Sequence, residues 1–490
     1  MTDSSLKRRT LSSLVWKLLE RGGYQIIQLA IQVVLARLLA PEEFGALAIM
    51  LVFVNIGMAL VQSGLNTALV QDRQVTVEDF STVFWMSFGV SLVLYVCLFI
   101  TAPAIASFYS MPYIVWHLRA LGLILPICAF NSVQVAAVQR ALDFRKVFYA
   151  TLVSVLVSGA VGIAVAAAEA GLWALVAQQL VYQVCSCVVL GINVKWIPRF
   201  IFDMARAKQL LKFGWKLLVS GLLDQGYQSL SDLIIGRQFS AASLGFVSQG
   251  KKYPQALGSM LDGAIQPVML SAVSHVQSEI GQVKRLVRRA LKTSTYLIFP
   301  AMTLFAVSAE PLVILLLGEQ WLPAVPFLQM YCFTYALLPI HSTNLQALNG
   351  IGRSDLFLRL EIIKKAYGIA LILIAAFVFH DVYLMVATYM LSGVISTFVN
   401  SWPNKRIIGY SYREQLRDIA PSLALSAIAG ACALTVPHFG FSGVPAILME
   451  TLVMASVYLV ASKLLHVEAF EYLARTASEI LHRSRKPNNS

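Results

Sequence analysis

The amino-acid sequence reads as an all-α polytopic membrane protein of about fourteen transmembrane helices. Two parallel six-helix lobes, related by a pseudo-two-fold along the membrane normal, precede two C-terminal helices. Three observations carry that expectation. First, the 490 residues are 58% hydrophobic and only 13% charged, against about 25% charged in a soluble globular chain. Surface-to-volume scaling does not let a water-soluble core bury so much apolar residue, so the excess faces lipid. Second, fourteen apolar runs each approach or exceed the roughly 20 residues that cross a hydrocarbon core. Third, short sequences recur at an offset of about 200 residues. These observations exclude an ordinary soluble enzyme, a nucleic-acid-binding domain and a disordered chain.

The runs cover 14–36, 44–66, 82–107, 115–138, 147–168, 171–193, 210–235, 243–270, 294–317, 324–348, 358–379, 382–402, 419–437 and 443–464. They are too long, and too poor in alternation, for barrel strands. The first contains Lys17, Glu20 and Arg21, and no small-residue cleavage site follows it, so it is expected to be a retained helix and not a signal peptide. With the N-terminus placed in the cytoplasm, twenty-five of the 38 Lys and Arg fall in cytoplasmic segments between or beyond the runs. Two, Arg37 and Arg237, fall outside, and eleven lie within the runs as bounded here. That positive-inside asymmetry predicts both termini in the cytoplasm, and it accounts for the net charge of +13 without a nucleic-acid partner. Residues 276–291 and 467–481 have apolar stripes backed by charge, which suits amphipathic helices lying in the interface.

The second and eighth spans reveal the repeat. Arg37 and Gly45 match Arg237 and Gly245, while Asn55, Gln62 and Asn66 align with Gln255, Asp262 and Gln266. Trp16 to Leu19 recurs as Trp215 to Leu218, and Gly23 to Gln25 as Gly226 to Gln228. Two hundred residues correspond to six spans, an even number, so the repeats run parallel. The expected organisation is an N-lobe at 1–200, a C-lobe at 201–410, and helices 13 and 14 with an amphipathic cytoplasmic tail at 411–490.

Polar residues then mark the spans that avoid lipid. The first span carries Ser13, Lys17, Glu20, Arg21, Tyr24, Gln25, Gln28 and Gln32 at steps that share one helix face. The seventh carries Lys216, Ser220, Asp224, Tyr227, Gln228 and Ser231, followed by Asp232. The eighth carries Lys251, and then Ser248, Lys252, Gln255, Ser259, Asp262 and Gln266 on one face. A charge at the bilayer centre costs roughly 3 kcal/mol on insertion scales. The simplest expectation is a hydrated cleft between lobes, with Arg21, Lys216, Lys251 and Lys252 as anion ligands. Glu20, Gln25, Gln28, Asn55, Gln62 and Gln255 would be its hydroxyl partners. The alternative is that these groups only join helices. Pro126, Pro254, Pro300, Pro311, Pro339 and the Gly22-Gly23 pair are candidate bends.

Motifs of chemistry are missing from the sequence. It contains no G-x-x-x-x-G-K-[ST], His-Glu-x-x-His or G-x-S-x-G, and its outer loops are about ten residues or shorter. No catalytic residues, metal or cofactor are expected. The six cysteines lie in apolar runs without zinc or redox spacing.

Four stretches carry a family resemblance: Arg37 to Gly45 (RLLAPEEFG), Gly64 to Gln71 (GLNTALVQ), Lys252 to Leu257 (KYPQAL) with Gln266 to Ser271 (QPVMLS), and Leu317 to Ala324 (LGEQWLPA). They resemble the Wzx-type polysaccharide flippases, in particular the colanic-acid-exporter-like branch of the multidrug/oligosaccharidyl-lipid/polysaccharide exporter superfamily. The resemblance implies a fourteen-helix alternating-access transporter in the bacterial inner membrane. Its implied cargo is an undecaprenyl-pyrophosphate-linked oligosaccharide, moved from the cytoplasmic to the periplasmic leaflet. Lipid-linked oligosaccharide and membrane lipids are the implied partners, with a polysaccharide polymerase and export machinery beyond them. Asp224, Asp232 and Asp262 are the candidates for proton or sodium coupling. An ion-coupled multidrug exporter, and a membrane glycan polymerase or ligase, are the alternatives.

Overall fold

A computed structural model describes residues 22–62, 69, 75–141 and 143–484. Every regular element among them is helical. Contacts divide the chain into two compact units, Met1–Ser248 and Gln249–Ser490.

The first unit holds α1 (22–38), α2 (Pro41–Gln62), α3 (Val77–Phe108), α4 (Ile114–Leu121), α5 (Ile124–Ala141), α6 (Phe144–Ala167), α7 (Leu172–Val194) and α8 (Met204–Gln238). A capping box starts α3. The Asp79 backbone N–H donates to the Thr76 hydroxyl, and the Thr76 N–H donates back to the Asp79 carboxylate at 2.8 Å. The same carboxylate receives the Arg206 guanidinium at 2.8 and 3.2 Å, so the first turns of α3 and α8 are joined. The connection between α7 and α8 is stitched to α3. The Arg199 and Asp203 N–H groups donate to Ser81 and Thr82, and Trp85 donates to the Arg199 carbonyl. Phe84, Val133 and Leu210 close a buried cluster beneath it.

The repeat is visible in the backbone. α1 ends at residue 38 and α2 starts at Pro41; α8 ends at Gln238 and α9 (Ala241–His275) starts at Ala241. A Cβ on Gly45 would collide with the Ala241 carbonyl, and one on Gly245 with the Pro41 carbonyl. Equivalent residues of the two repeats therefore meet reciprocally, as a two-fold relation requires. Only glycine lets the helices approach this closely.

The second unit continues from α9 through α10 (Ile280–Val307), α11 (Ala309–Leu316), α12 (Val325–Ala336), α13 (Leu338–Gly350), α14 (Ser354–Ile374) and α15 (Val382–Ile407). It ends with α16 (Tyr412–Ala433), α17 (Gly443–Leu464) and α18 (Glu468–Ser484). Pro254 and Pro300 sit inside continuous helices, whereas Pro339 opens α13 after a break at Leu337.

Twelve of the described helical stretches are long and apolar enough to cross a membrane, and the chain is a multi-pass membrane protein. They correspond to twelve of the fourteen predicted runs. The other two are the run 14–36, of which only the part from residue 22 is described, and the run 210–235. The latter lies inside the 35-residue α8, whose Lys, Asp and Gln content holds it below that apolarity.

One expectation is corrected. Residues 280–291 do not form a separate interfacial helix; they are the first turns of α10. Val283, Val287 and Leu291 are fully buried, and the charged side of these turns pairs with residues of α16. The stripe is covered by protein instead of lipid. The tail segment does form the helix α18, with Ala469, Phe470 and Leu473 packed on a cluster around Tyr296, Leu425 and Tyr458.

Candidate functional site

In the first unit, the polar face of α1 meets α7. Gln32 Nε2 donates to Gln178 Oε1 at 3.4 Å, and the Tyr24 and Tyr182 rings lie 5.9 Å apart. Gln25 and Gln28 are half-buried on the same helix. Asn55 is half-buried on α2, and Gln62 Nε2 donates to Cys128 Sγ on α5 at 2.7 Å. On α8, Asp224 is exposed and accepts from Gln228 at 2.7 Å, while Asp232 is half-buried. Glu20 and Arg21 lie outside the described residues. Lys216 occupies α8, and its side chain also lies outside the description.

In the second unit, α9 has two distinct sides. Gly250 packs against the backbone of Leu328 and Gly258 against the Tyr335 ring, and Tyr253 is buried. This side is fixed against α12. The sequence-predicted residues lie elsewhere on the helix. Lys251 and Lys252 are half-buried and Gln255 is exposed. Neither lysine joins a carboxylate among the described residues. Asp262 is buried and accepts from Gln266, and Gln266 Oε1 accepts from Gln346 Nε2 of α13 at 3.2 Å. The helix carries two ammonium groups, at Lys251 and Lys252, and a carboxylate–amide chain nearly three turns further on. Ammonium groups are donors for an anion, while amides and carboxylates are partners for hydroxyls.

The structure adds polar groups that spacing along single helices did not single out. Asn344 and Gln415 exchange two amide hydrogen bonds at 2.9 and 3.0 Å, and Asn404 and Ser401 close the group. All four are buried. They come from α13, α16 and α15, so no one helix shows the pattern. His341 meets Asn400 at 3.2 Å. Glu361 and Lys364 form a half-buried ion pair on α14, and Tyr367 shares a hydrogen bond with Ser396 at 2.5 Å. Lys364 and Lys365 lie inside the run 358–379 that the sequence predicts; the helix begins at Ser354, which places both about three turns in.

The family described as "Polysaccharide biosynthesis protein" matches residues 34–326. The succinoglycan biosynthesis transport protein ExoT of Rhizobium meliloti is 24% identical over 72% of this chain and 72% of its own length. The teichuronic acid biosynthesis protein TuaB of Bacillus subtilis is 22% identical over 98% of this chain and 99% of its own. Among solved structures, the lipid II flippase MurJ in an inward closed conformation aligns with a TM-score of 0.76 at 13% identity, covering 94% of this chain and 99% of that one. An inward-facing multidrug resistance MATE transporter aligns with a TM-score of 0.56 at 16% identity, covering 79% of this chain and 95% of that one. The fold is that of these transporters.

Proposed function

This chain belongs to the polysaccharide biosynthesis protein family, and on that premise we propose that it flips a lipid-linked oligosaccharide across the membrane by alternating access. Each hydroxyl of a glycan headgroup costs several kcal/mol to place in hydrocarbon without a partner. Unaided crossing is therefore prohibitively slow, and a transporter must supply partners along the way. The observation that carries the reading is the face of α9. Lys251 and Lys252, half-buried without a carboxylate partner among the described residues, stand on the same helix as the Asp262–Gln266–Gln346 chain. The lysines would hold the pyrophosphate of an undecaprenyl-linked cargo. Gln25, Gln28, Asn55, Gln62 and Gln255 would meet its hydroxyls, and Glu20, Arg21 and Lys216 would extend the same surface.

The bodies that move would be the N-lobe, 1–200, and the C-lobe, 201–410. The charge distribution supports a bacterial inner membrane location with both termini in the cytoplasm. A polymerase and export machinery would receive the flipped unit. Asp224, Asp232 and Asp262 remain the candidates for an ion that drives the cycle. The multidrug alternative fits less well: an exporter of cationic drugs needs an acidic cavity, and this face is led by two lysines. The fold agrees more closely with MurJ, at a TM-score of 0.76 against 0.56 for the MATE transporter.

The test is deletion of the gene in its host, followed by analysis of which leaflet holds lipid-linked sugar. Complete repeat units on the cytoplasmic leaflet, with surface polysaccharide lost, are expected. Units accumulating on the periplasmic side would place the defect after flipping and overturn the reading.

A further inference from the structure

A second basic site lies away from the α9 face. The first turns of α10 and the tail helix α18 enclose an open cavity of about 210 Å³, lined by Arg289, Lys292, Thr293, Glu468, Tyr472 and Arg475 among others. The cations there are not equivalent. Lys292 is shared between Asp418 at 3.0 Å and Glu468 at 2.5 Å. Arg475 approaches Glu471 at 4.0 Å. Arg289 joins no carboxylate among the described residues; its guanidinium lies over the Tyr472 ring, 5.0 Å from the centroid. That contact occupies no carboxylate, and an arginine fork of this kind suits a phosphate. The Thr293 hydroxyl, four residues on, shares that helix face. Leu464 and Leu465, at the end of α17 and just before α18, are 72% and 68% exposed. They precede the cavity-lining Glu468 by four and three residues along the chain.

We propose that this cavity binds a phosphate group, and that an anionic membrane lipid supplies it. The headgroup would sit on Arg289 and Thr293, with Arg475 closing over it and the acyl chains running past Leu464 and Leu465. Basic pockets between membrane helices recognise anionic lipids in this way. Occupancy would pin α18 to α10, independently of whether the protein flips a glycan.

The full-length protein, purified in mild detergent, is analysed by native mass spectrometry with added phosphatidylglycerol. The parallel arm uses nanodiscs of phosphatidylcholine alone, titrated with inorganic pyrophosphate. The wild-type protein is expected to retain one phosphatidylglycerol. Arg289→Ala should weaken retention about five- to tenfold, the scale of one to two basic contacts at a membrane surface. Arg289→Lys should fall between, because charge persists while the fork is lost. Arg417→Ala, an exposed arginine on α16 outside the cavity, should bind as wild type. Unchanged elution and melting would show that each variant is folded. Equal losses at Arg289 and Arg417, or no retained lipid, would overturn the site. Arg289-dependent pyrophosphate binding without lipid retention would overturn the lipid as its source.

Discussion

Two groups of basic side chains on helices of the second unit have different surroundings. At the α10–α16 corner Lys284, Arg288 and Lys292 all have acidic company. Lys284 reaches Glu414 at 2.9 Å, and Arg288 makes two bonds of 2.8 Å to Asp418. Lys292 lies 3.0 Å from the same carboxylate, and Tyr410 donates to it at 2.8 Å. Burial first, and that hydrogen bond next, raise the Tyr410 hydroxyl above the usual phenol range, which keeps it a donor. On α9, Lys251 and Lys252 have no carboxylate among the described residues. A membrane-embedded charge that is paired fastens helices. One held without a pair is costly, and its retention needs another explanation, which the proposed cargo would supply. The two places should therefore respond to substitution in opposite ways.

The largest effect is expected at the paired corner. Asp418→Ala leaves Arg288, Lys292 and Tyr410 without their shared acceptor, in a position where Asp418 itself is 8% exposed. Breaking a buried pair from one side costs about 3–5 kcal/mol. The protein should fall sharply in membrane abundance and melting temperature. If abundance is unchanged while transport stops, the corner is functional and the contrast with α9 collapses.

The next effect falls at the two-fold contact of the first unit. Gly45→Ala drives a methyl into the Ala241 carbonyl, and Gly245→Ala does the same to Pro41. Overpacking of this kind costs roughly 1–3 kcal/mol. Both variants should lose stability to a similar degree, since the contacts are reciprocal. A large difference between them, read by thermal melting, would show that the repeat equivalence is a sequence likeness without matching energetics.

Lys252→Ala carries the opposite signature. Removing an unpaired, half-buried ammonium should leave abundance and melting unchanged, or raise them slightly. Surface glycan export should drop about tenfold, the worth of one charge-assisted contact to the cargo's phosphate. Normal export at normal abundance would remove Lys252 from the site.

The same contrast explains what could be read before the structure. The α9 face was legible because a single helix repeats it: Ser248, Lys252, Gln255, Ser259, Asp262 and Gln266 keep their helical steps whatever surrounds them. The 200-residue offset was legible through Gly45 and Gly245, since a backbone collision leaves glycine no substitute. Residues 280–291 were misread because periodicity reports that an apolar stripe is covered, and not by what. A helix packed on α16 and a helix lying on lipid have the same pattern. The Asn344–Asn404–Gln415 group was invisible for a different reason. Its members are 60 and 71 residues apart, and only tertiary contact brings them together.

The smallest expected effect tests the weakest pairing. Gln32 donates to Gln178 at 3.4 Å between α1 and α7, and both residues are buried. Interhelical hydrogen bonds in membranes average only about 0.6 kcal/mol, because the separated helices find other partners. Gln32→Leu should therefore shift the melting temperature slightly and leave export near the wild-type level. Gln28→Leu, one turn earlier and half-buried, is the informative partner. If its export falls while Gln32→Leu is neutral, the polar face of α1 changes character within one turn, from cargo contact to helix joint. Equal and small effects at both positions would make the described part of α1 structural throughout, and would confine the hydroxyl-binding surface to the other helices.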